Sequence, residues 1–287
     1  MKSEVEELHK IYQEKLNKNQ FEKISAFING KVGIKLPEEK LIMLQGRLYK
    51  RLKALNIKTF NEYFEYAFSK EGSKKEIVNL IDVICTNKTS FFREPNHFDF
   101  IKNHIFSEFI NRVNGNRHIK IWSAGCSSGE EPYTLGMVFQ SFIEKNFGFN
   151  YSILGTDIST QILKTAINAI YSQDKTQEIP NEIKKNYLLK SKDRKNPTVR
   201  VIPEIRRKVT FQRLNLMDNV YNVKQIFDII FCRNTLIYFD RPIQELVINK
   251  LCQHLKHGGY LFIGHSESVF SMNVPLQQIR PTIYRKI

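Results

Sequence analysis

No run of about 20 nearly uncharged apolar residues occurs in this 287-residue sequence, so nothing in it reads as a membrane-spanning helix. The opening MKSEVEELHK is charged from the start, unlike a secretory leader. Cysteine is scarce. Cys85, Cys126, Cys232 and Cys252 stand far apart and form no C-x-x-C pair, so reduced thiols in the cytoplasm are expected rather than a disulfide framework or a zinc site. Neither G-x-x-x-x-G-K-[ST] nor G-x-G-x-x-G is present, which argues against a loop that cradles phosphates. The chain also lacks a Pro-Pro dipeptide, an internal repeat and a low-complexity segment.

What it has is an ordinary globular composition. Apolar residues make up 41% and aromatics 12%, with 21 Phe and 12 Tyr, enough for a normal core. Basic residues number 44 against 29 acidic ones, a net charge of +15. That surplus points to an anionic partner, whether nucleic acid, acidic lipid or acidic protein, or to a lysine-rich composition with no partner behind it.

Residues 1–85 read as helices. Charged and apolar residues alternate at helical spacing from Glu4 to Phe27. Leu41, Leu44, Leu48, Leu52 and Leu55 form an apolar stripe, followed by Phe60, Phe64 and Phe68, and then by Ile77, Leu80, Ile81 and Ile84. Residues 86–287 change rhythm. Apolar runs at 119–122, 151–154, 227–231 and 260–263 each end in turn residues, and helical patterns occupy about 130–145, 159–169 and 241–255. Alternating strands and helices predict a doubly wound α/β domain with a mostly parallel sheet, and Gly258-Gly259 reads as the stop of its last helix. The β-branched, basic stretch near 187–213, with Lys-Asn-Pro at its middle, predicts a small antiparallel β insertion.

In such a sheet, ligands bind beyond the carboxyl ends of the strands. The turn Ser123-Ala-Gly125-Cys-Ser-Ser-Gly129 lets its backbone approach a ligand closely, and it runs into Glu130-Glu131, which would repel a triphosphate. Asp157 ends the next strand. It is placed either to hold a ribose diol or to cap the following helix, a task Ser159 could also perform. A glycine turn, acidic residues and that Asp together suit an adenosyl ligand without phosphates, such as S-adenosylmethionine.

Five ordered stretches sharpen this: N-x-T-x-F-F-R-E from Asn87, W-S-A-G-C-S-S-G-E-E-P-Y from Trp122, G-T-D-I from Gly155, F-D-I-I-F-C-R-N-x-x-I-Y-F from Phe227, and G-G-Y-L-F-I-G-H-S-E from Gly258. Through them the sequence resembles the chemotaxis receptor methyltransferases, the CheR family. The R-L-x-x-R-L-x-x-L of Arg47–Leu55 is similar to the basic helix of that family's N-terminal domain.

The resemblance implies a class I S-adenosylmethionine-dependent methyltransferase fold behind an all-α N-terminal domain. The implied reaction is methyl transfer to glutamate side chains of bacterial chemoreceptors, giving γ-methyl esters. The implied cofactor contacts are Asn87, Thr89, Arg93, Glu131, Asp157, Asn215, Leu216, Arg233 and Asn234, with Gly125 in the turn and with Arg93 and Tyr238 nearest the methyl group. Arg47, Lys50 and Arg51 would dock onto the receptor's cytoplasmic methylation helices. In some relatives the β insertion grips a receptor-tail pentapeptide through a glycine-containing loop. The corresponding KSKDRKNPTV has no glycine, so no such tether is expected.

Plainer readings stand beside these. Arg93-Glu94 could be a surface ion pair, Tyr238 a core residue, Arg233-Asn234 turn formers, and the basic helix a solvated face. A nucleic-acid methyltransferase would suit the charge, yet the Pro-Pro-aromatic motif of exocyclic amine methylation is missing. A non-catalytic module of the same fold is the other alternative.

Overall fold

The computed structural model describes residues 13–84, 88–111 and 117–287. Contacts divide the chain into two units, Met1–Thr86 with Tyr238–Asp240, and Asn87–Ile237 with Arg241–Ile287.

The first unit contains helices α1 (Lys18–Val32), α2 (Leu41–Leu55), α3 (Phe60–Phe68) and α4 (Gly72–Ile84). The helical pattern expected from Glu4 begins outside the described residues, and α1 starts where Asn17 and Gln20 form a reciprocal capping box. Gly33, at φ 73°, ends it in the left-handed conformation that favours glycine. Of the leucine stripe, Leu44, Leu48 and Leu52 are buried, and Leu41 and Leu55 lie at its half-buried ends. The buried face of α3 is Phe60, Tyr63 and Ala67 rather than the expected Phe60, Phe64 and Phe68. The i, i+3, i+7 face wins here, and Phe68 is left 42% exposed.

Two of the three cations expected to dock a partner are engaged inside this unit. Arg51 forks onto Glu76 through two 2.8 Å bonds, and Tyr63 donates to the same carboxylate at 2.9 Å. Burial pushes the Glu76 carboxyl up, but hydrogen bonds from Arg51, Asn79 and Tyr63 outweigh it and hold the group below its usual range. Arg47 donates to the carbonyls of Val83 and Ile84, at 3.2 and 2.6 Å, in the last turn of α4. Lys50 alone of the three is exposed, as is neighbouring Lys53.

The second unit opens with α5 (Asn96–Phe100), which runs through a π turn into α6 (Phe106–Ile110). Its strands are β1 (His118–Ala124), β2 (Asn150–Asp157), β3 (Ile170–Ser172), β4 (Leu188–Lys190), β5 (Thr198–Val201), β6 (Val209–Arg213), β7 (Phe227–Cys232), β8 (Leu255–Ile263), β9 (Leu276–Arg280) and β10 (Ile283–Lys286). The intervening helices are α7 (Glu130–Lys145), α8 (Thr160–Asn168), α9 (Asn181–Tyr187), α10 (Pro203–Arg206) and α11 (Arg241–Gln253).

Seven strands form one sheet in the order β6-β2-β1-β7-β8-β10-β9. The pairs from β6 to β8 are parallel, and β10 runs antiparallel to both neighbours. Every residue of β7 is buried, as expected for a parallel strand covered on both faces.

Two expectations change here. The antiparallel insertion does not coincide with 187–213. Its sheet has the order β3-β5-β4, so its first strand lies upstream, at Ile170–Ser172. Val209–Arg213 instead joins the main sheet, parallel to β2 from Ile153↔Val209 to Asp157↔Arg213. Gly258-Gly259 does not stop a helix. α11 ends at Gln253, and both glycines lie inside β8, where the register with β7 shifts. A Cβ on Gly259 would stand 2.9 Å from the Asp228 carbonyl, so close backbone approach, not helix termination, requires glycine there.

Candidate functional site

From β1 the chain turns toward β2, and from β7 toward β8, which leaves a crevice between the carboxyl ends of β1 and β7. The loop after β1 starts at Gly125, φ 79°, whose N–H shares the Thr156 carbonyl with Cys126 N–H at 2.8 and 2.9 Å. A Cβ on Gly125 would lie 2.3 Å from Thr235 Oγ1, so the loops after β1 and β7 meet at this glycine. Gly129, φ 92°, turns the chain into α7.

The paired acids that begin α7 diverge in role. Glu130, fully buried, accepts from Ser128 Oγ at 2.5 Å and from Lys175 Nζ at 2.9 Å. Tyr171 of β3 donates to the Ser128 carbonyl at 2.8 Å, so the antiparallel sheet is tied to the glycine turn at a second point. Glu131 accepts from Ser123 Oγ at 2.6 Å and from Arg233 Nε at 2.7 Å.

Arg233 is the hub of the site. Its Nη1 donates to the Arg93 carbonyl at 2.8 Å and to His97 Nδ1 at 3.0 Å, and approaches Glu94 at 3.4 Å. The guanidinium also lies over the Phe98 and Phe231 rings, 5.5 and 5.4 Å from their centroids. Arg93 itself is half-buried and donates to the Lys88 carbonyl at 3.1 Å. Asn234 donates through Nδ2 to Glu94 at 3.3 Å. Phe92, Glu94, Ser127 and Asn234 all hold φ between 50 and 58°, so left-handed non-glycine backbone clusters in these loops.

Asp157 accepts the N–H of Ser127 at 2.8 Å and of Ser159 at 3.0 Å. Ser159, through Oγ, is the N-cap of α8, so the capping reading belongs to Ser159 and not to Asp157. The Asp157 carbonyl also accepts Leu214 N–H at 3.0 Å, which brings Asn215 and the buried Leu216 to the same end of the sheet.

The structure thus gathers Gly125, Glu131, Arg233, Asn234 and the Arg93 backbone, and beside them Asp157, Asn215 and Leu216. Thr89 is half-buried on the approach to Arg93, and Asn87 lies outside the described residues. Tyr238, half-buried at the end of the 3-10 turn Leu236–Tyr238, groups by contacts with the first unit.

Sequence reasoning assigned no role to His97, Glu267 or Thr282, and read Glu94 only as a surface partner of Arg93, whereas Arg233 and Asn234 hold it. His97 is fully buried between Arg233 and Thr282 Oγ1, the latter 2.7 Å from Nε2. Burial, with Arg233 and His265 alongside, pushes its pKa down to about 3. Glu94, His97 and His265 bring ligand-type atoms within 4.8 Å of one another, but Arg233 takes the Nδ1 lone pair and adds a positive charge there. Burial likewise pushes the Cys126 and Cys232 thiols up, so they are packing groups rather than nucleophiles.

Residues 87–285 match the SAM-binding domain of the CheR methyltransferases, and residues 19–85 match their all-alpha domain. A chemotaxis protein methyltransferase of Borreliella burgdorferi is 38% identical over 274 residues, covering 94% of this chain and 95% of its own. The corresponding protein of Salmonella typhimurium is 34% identical over 248 residues, 86% of this chain and 83% of its own. A probable one of Rhizobium etli is 33% identical over 237 residues, 83% and 88% respectively. The chain belongs to the CheR methyltransferase family and is an S-adenosylmethionine-dependent methyltransferase.

The donor set fits that cofactor. The Asp157 carboxylate stands against the glycine turn, where it accepts Ser127 N–H, and an acid at that strand end suits a ribose diol. Among the described residues, no helix is long and apolar enough to cross a membrane.

Proposed function

We propose that this chain methylates glutamate side chains on the cytoplasmic helices of bacterial chemoreceptors, giving γ-glutamyl methyl esters. The relatives' name, chemotaxis protein methyltransferase, supports the receptor as substrate. The observation that carries the reading is the Arg233 clamp. One guanidinium fastens both the Glu131 carboxylate and the Arg93 carbonyl, and so ties the segment bearing Arg93 to the crevice beside the glycine turn.

In this reading, Asp157 holds the ribose hydroxyls, Gly125 gives room for close backbone approach, and Asn215, Leu216 and Thr89 line the adenosyl site. Glu131, Arg233 and Asn234 complete it beyond β1 and β7. S-adenosylmethionine, when bound, supplies a methyl group on a sulfonium leaving group.

A glutamate with a pKa of about 4.3 is already ionised near neutral pH, so the chain has no proton to remove and needs no general base. Its residues orient the acceptor and exclude water, and such positioning can contribute on the order of 7–11 kcal/mol. Arg93 presents a planar fork to the acceptor carboxylate.

Docking falls to the exposed Lys50 and Lys53 of α2, facing acidic receptor helices, since Arg47 and Arg51 are engaged within their own unit. The loop between β4 and β5 has no glycine and is closed by Asp193, which accepts Lys195 N–H at 2.8 Å, so no receptor-tail tether is part of this proposal. Peptide mass spectrometry of a receptor cytoplasmic fragment after incubation with enzyme and cofactor tests the assignment. Methyl gain confined to glutamate-bearing helical peptides is expected. Modification of lysine, or no gain with a receptor from the same organism, contradicts it.

A further inference from the structure

Glu267 closes the G-H-S-E stretch after β8, and the chemistry above makes no use of it. Its carboxylate is 8% exposed and is surrounded by peptide donors. Oε2 accepts the N–H of Gly264 at 2.6 Å and of Asn234 at 2.9 Å. Oε1 accepts the N–H of Leu236 at 2.7 Å and of Ile237 at 3.2 Å. Three of these donors belong to the loop after β7 and one to the turn after β8, so a single anion ties together the carboxyl ends of two adjacent parallel strands.

Burial pushes the Glu267 carboxyl above its usual range, while the four N–H bonds pull it back. The loop it grips contains Asn234 at φ 55°, a left-handed conformation that asparagine tolerates better than most non-glycine residues. The same packing accounts for glycine at 264. A Cβ there would lie 2.6 Å from Asn234 Nδ2, 2.8 Å from Asn234 N and 2.9 Å from Glu267 Oε2.

We infer that Glu267 is a positioning residue of the methyl-transfer site, holding the backbone of 234–237 so that Asn234 is presented to the adenosyl ligand. This rests on the reading that Asn234 contacts the cofactor. Glutamine has the same shape as glutamate, but either orientation of its amide turns an NH2 toward two N–H donors, so half of the grip and the charge are lost with little change in volume.

The test is a double-mutant cycle on S-adenosylhomocysteine affinity, measured by calorimetry on the full chain well below the melting temperature. Asn234→Ala and Glu267→Gln are each expected to weaken binding by about 10- to 100-fold. The double variant is expected to bind no more weakly than the worse single one, because both act through one side chain. Full additivity, or a Glu267→Gln protein with lowered melting temperature and unchanged affinity, overturns the inference while leaving the site reading intact. Unchanged affinity in Asn234→Ala removes Asn234 from the cofactor site and this inference with it. Should Glu267→Gln fail to fold, Gly264→Ala disturbs the same contacts without removing the charge. It is expected to show the same loss and the same non-additivity, and unchanged affinity overturns the inference.

Discussion

Arg233 and His97 fix each other's chemistry. A guanidinium can only donate, so the 3.0 Å contact from Arg233 Nη1 makes His97 Nδ1 the acceptor. The imidazole proton then sits on Nε2 and is donated to Thr282 Oγ1, whose own hydroxyl donates to the Pro281 carbonyl at 2.6 Å. Hydrogen bonds of one defined direction therefore link the β9–β10 turn to Arg233, and through it to Glu131.

The first prediction follows from that buried neutral His97. Its folded pKa, about 3, lies below its unfolded value of about 6.5, so the unfolded chain binds the extra proton. The stability linked to His97 is fully present above pH 6.5 and is lost as pH falls toward 3, at about 1.4 kcal/mol per pH unit. Unfolding free energies between pH 6 and 4 should approach this slope, and His97→Asn should flatten it. An equal slope in that variant would exclude His97 as the source.

Arg233→Met should destabilise the second unit by about 3–5 kcal/mol, because it leaves Glu131 buried and unpaired. Arg233→Lys should rescue little, since one ammonium cannot reach Glu131, the Arg93 carbonyl and His97 from that stem. Chemical denaturation of the three proteins checks the order.

Gly125→Ala should lower both stability and S-adenosylhomocysteine affinity, because the new Cβ meets Thr235 Oγ1 at 2.3 Å. Adding Thr235→Ala should restore part of the loss. The remainder, about 1–2 kcal/mol, is the cost of alanine in a left-handed conformation. Complete restoration would show that the backbone strain is unimportant.

In the first unit, Arg51→Ala should lower the melting temperature, because it strips the partner from a carboxylate that is 1% exposed. Lys50→Glu should leave the melting temperature unchanged and reduce methyl transfer to receptors, increasingly so at low salt. A receptor-independent effect of Lys50→Glu would remove α2 from the docking surface.

The βα rhythm was legible because buried parallel strands are written as short apolar runs, and the glycine turn and Asp157 because each directly closes one of those runs. Periodicity could not place Val209–Arg213, since a β-branched edge strand reads the same whether its neighbour is β2 or an antiparallel hairpin. It also could not tell a glycine pair inside a bulged strand from one that ends a helix. The charges of Arg47 and Arg51 were visible, but their partners Glu76, Val83 and Ile84 are far away in sequence, so a docking patch and an internal clamp look alike there. Glu267 and His97 were hidden for the same reason: their partners are backbone groups or residues from distant loops. The R-N pair after β7 and the G-H-S-E stretch were the local signals that sequence offered.

The most direct measurement is transfer of labelled methyl from S-adenosylmethionine to receptor-bearing bacterial membranes, followed by mild alkali. Carboxyl methylation predicts label released as volatile methanol, absent when Arg93→Ala replaces the wild-type protein. Label that survives alkali would mean a methylated nitrogen or carbon, and would contradict a glutamate ester as the product.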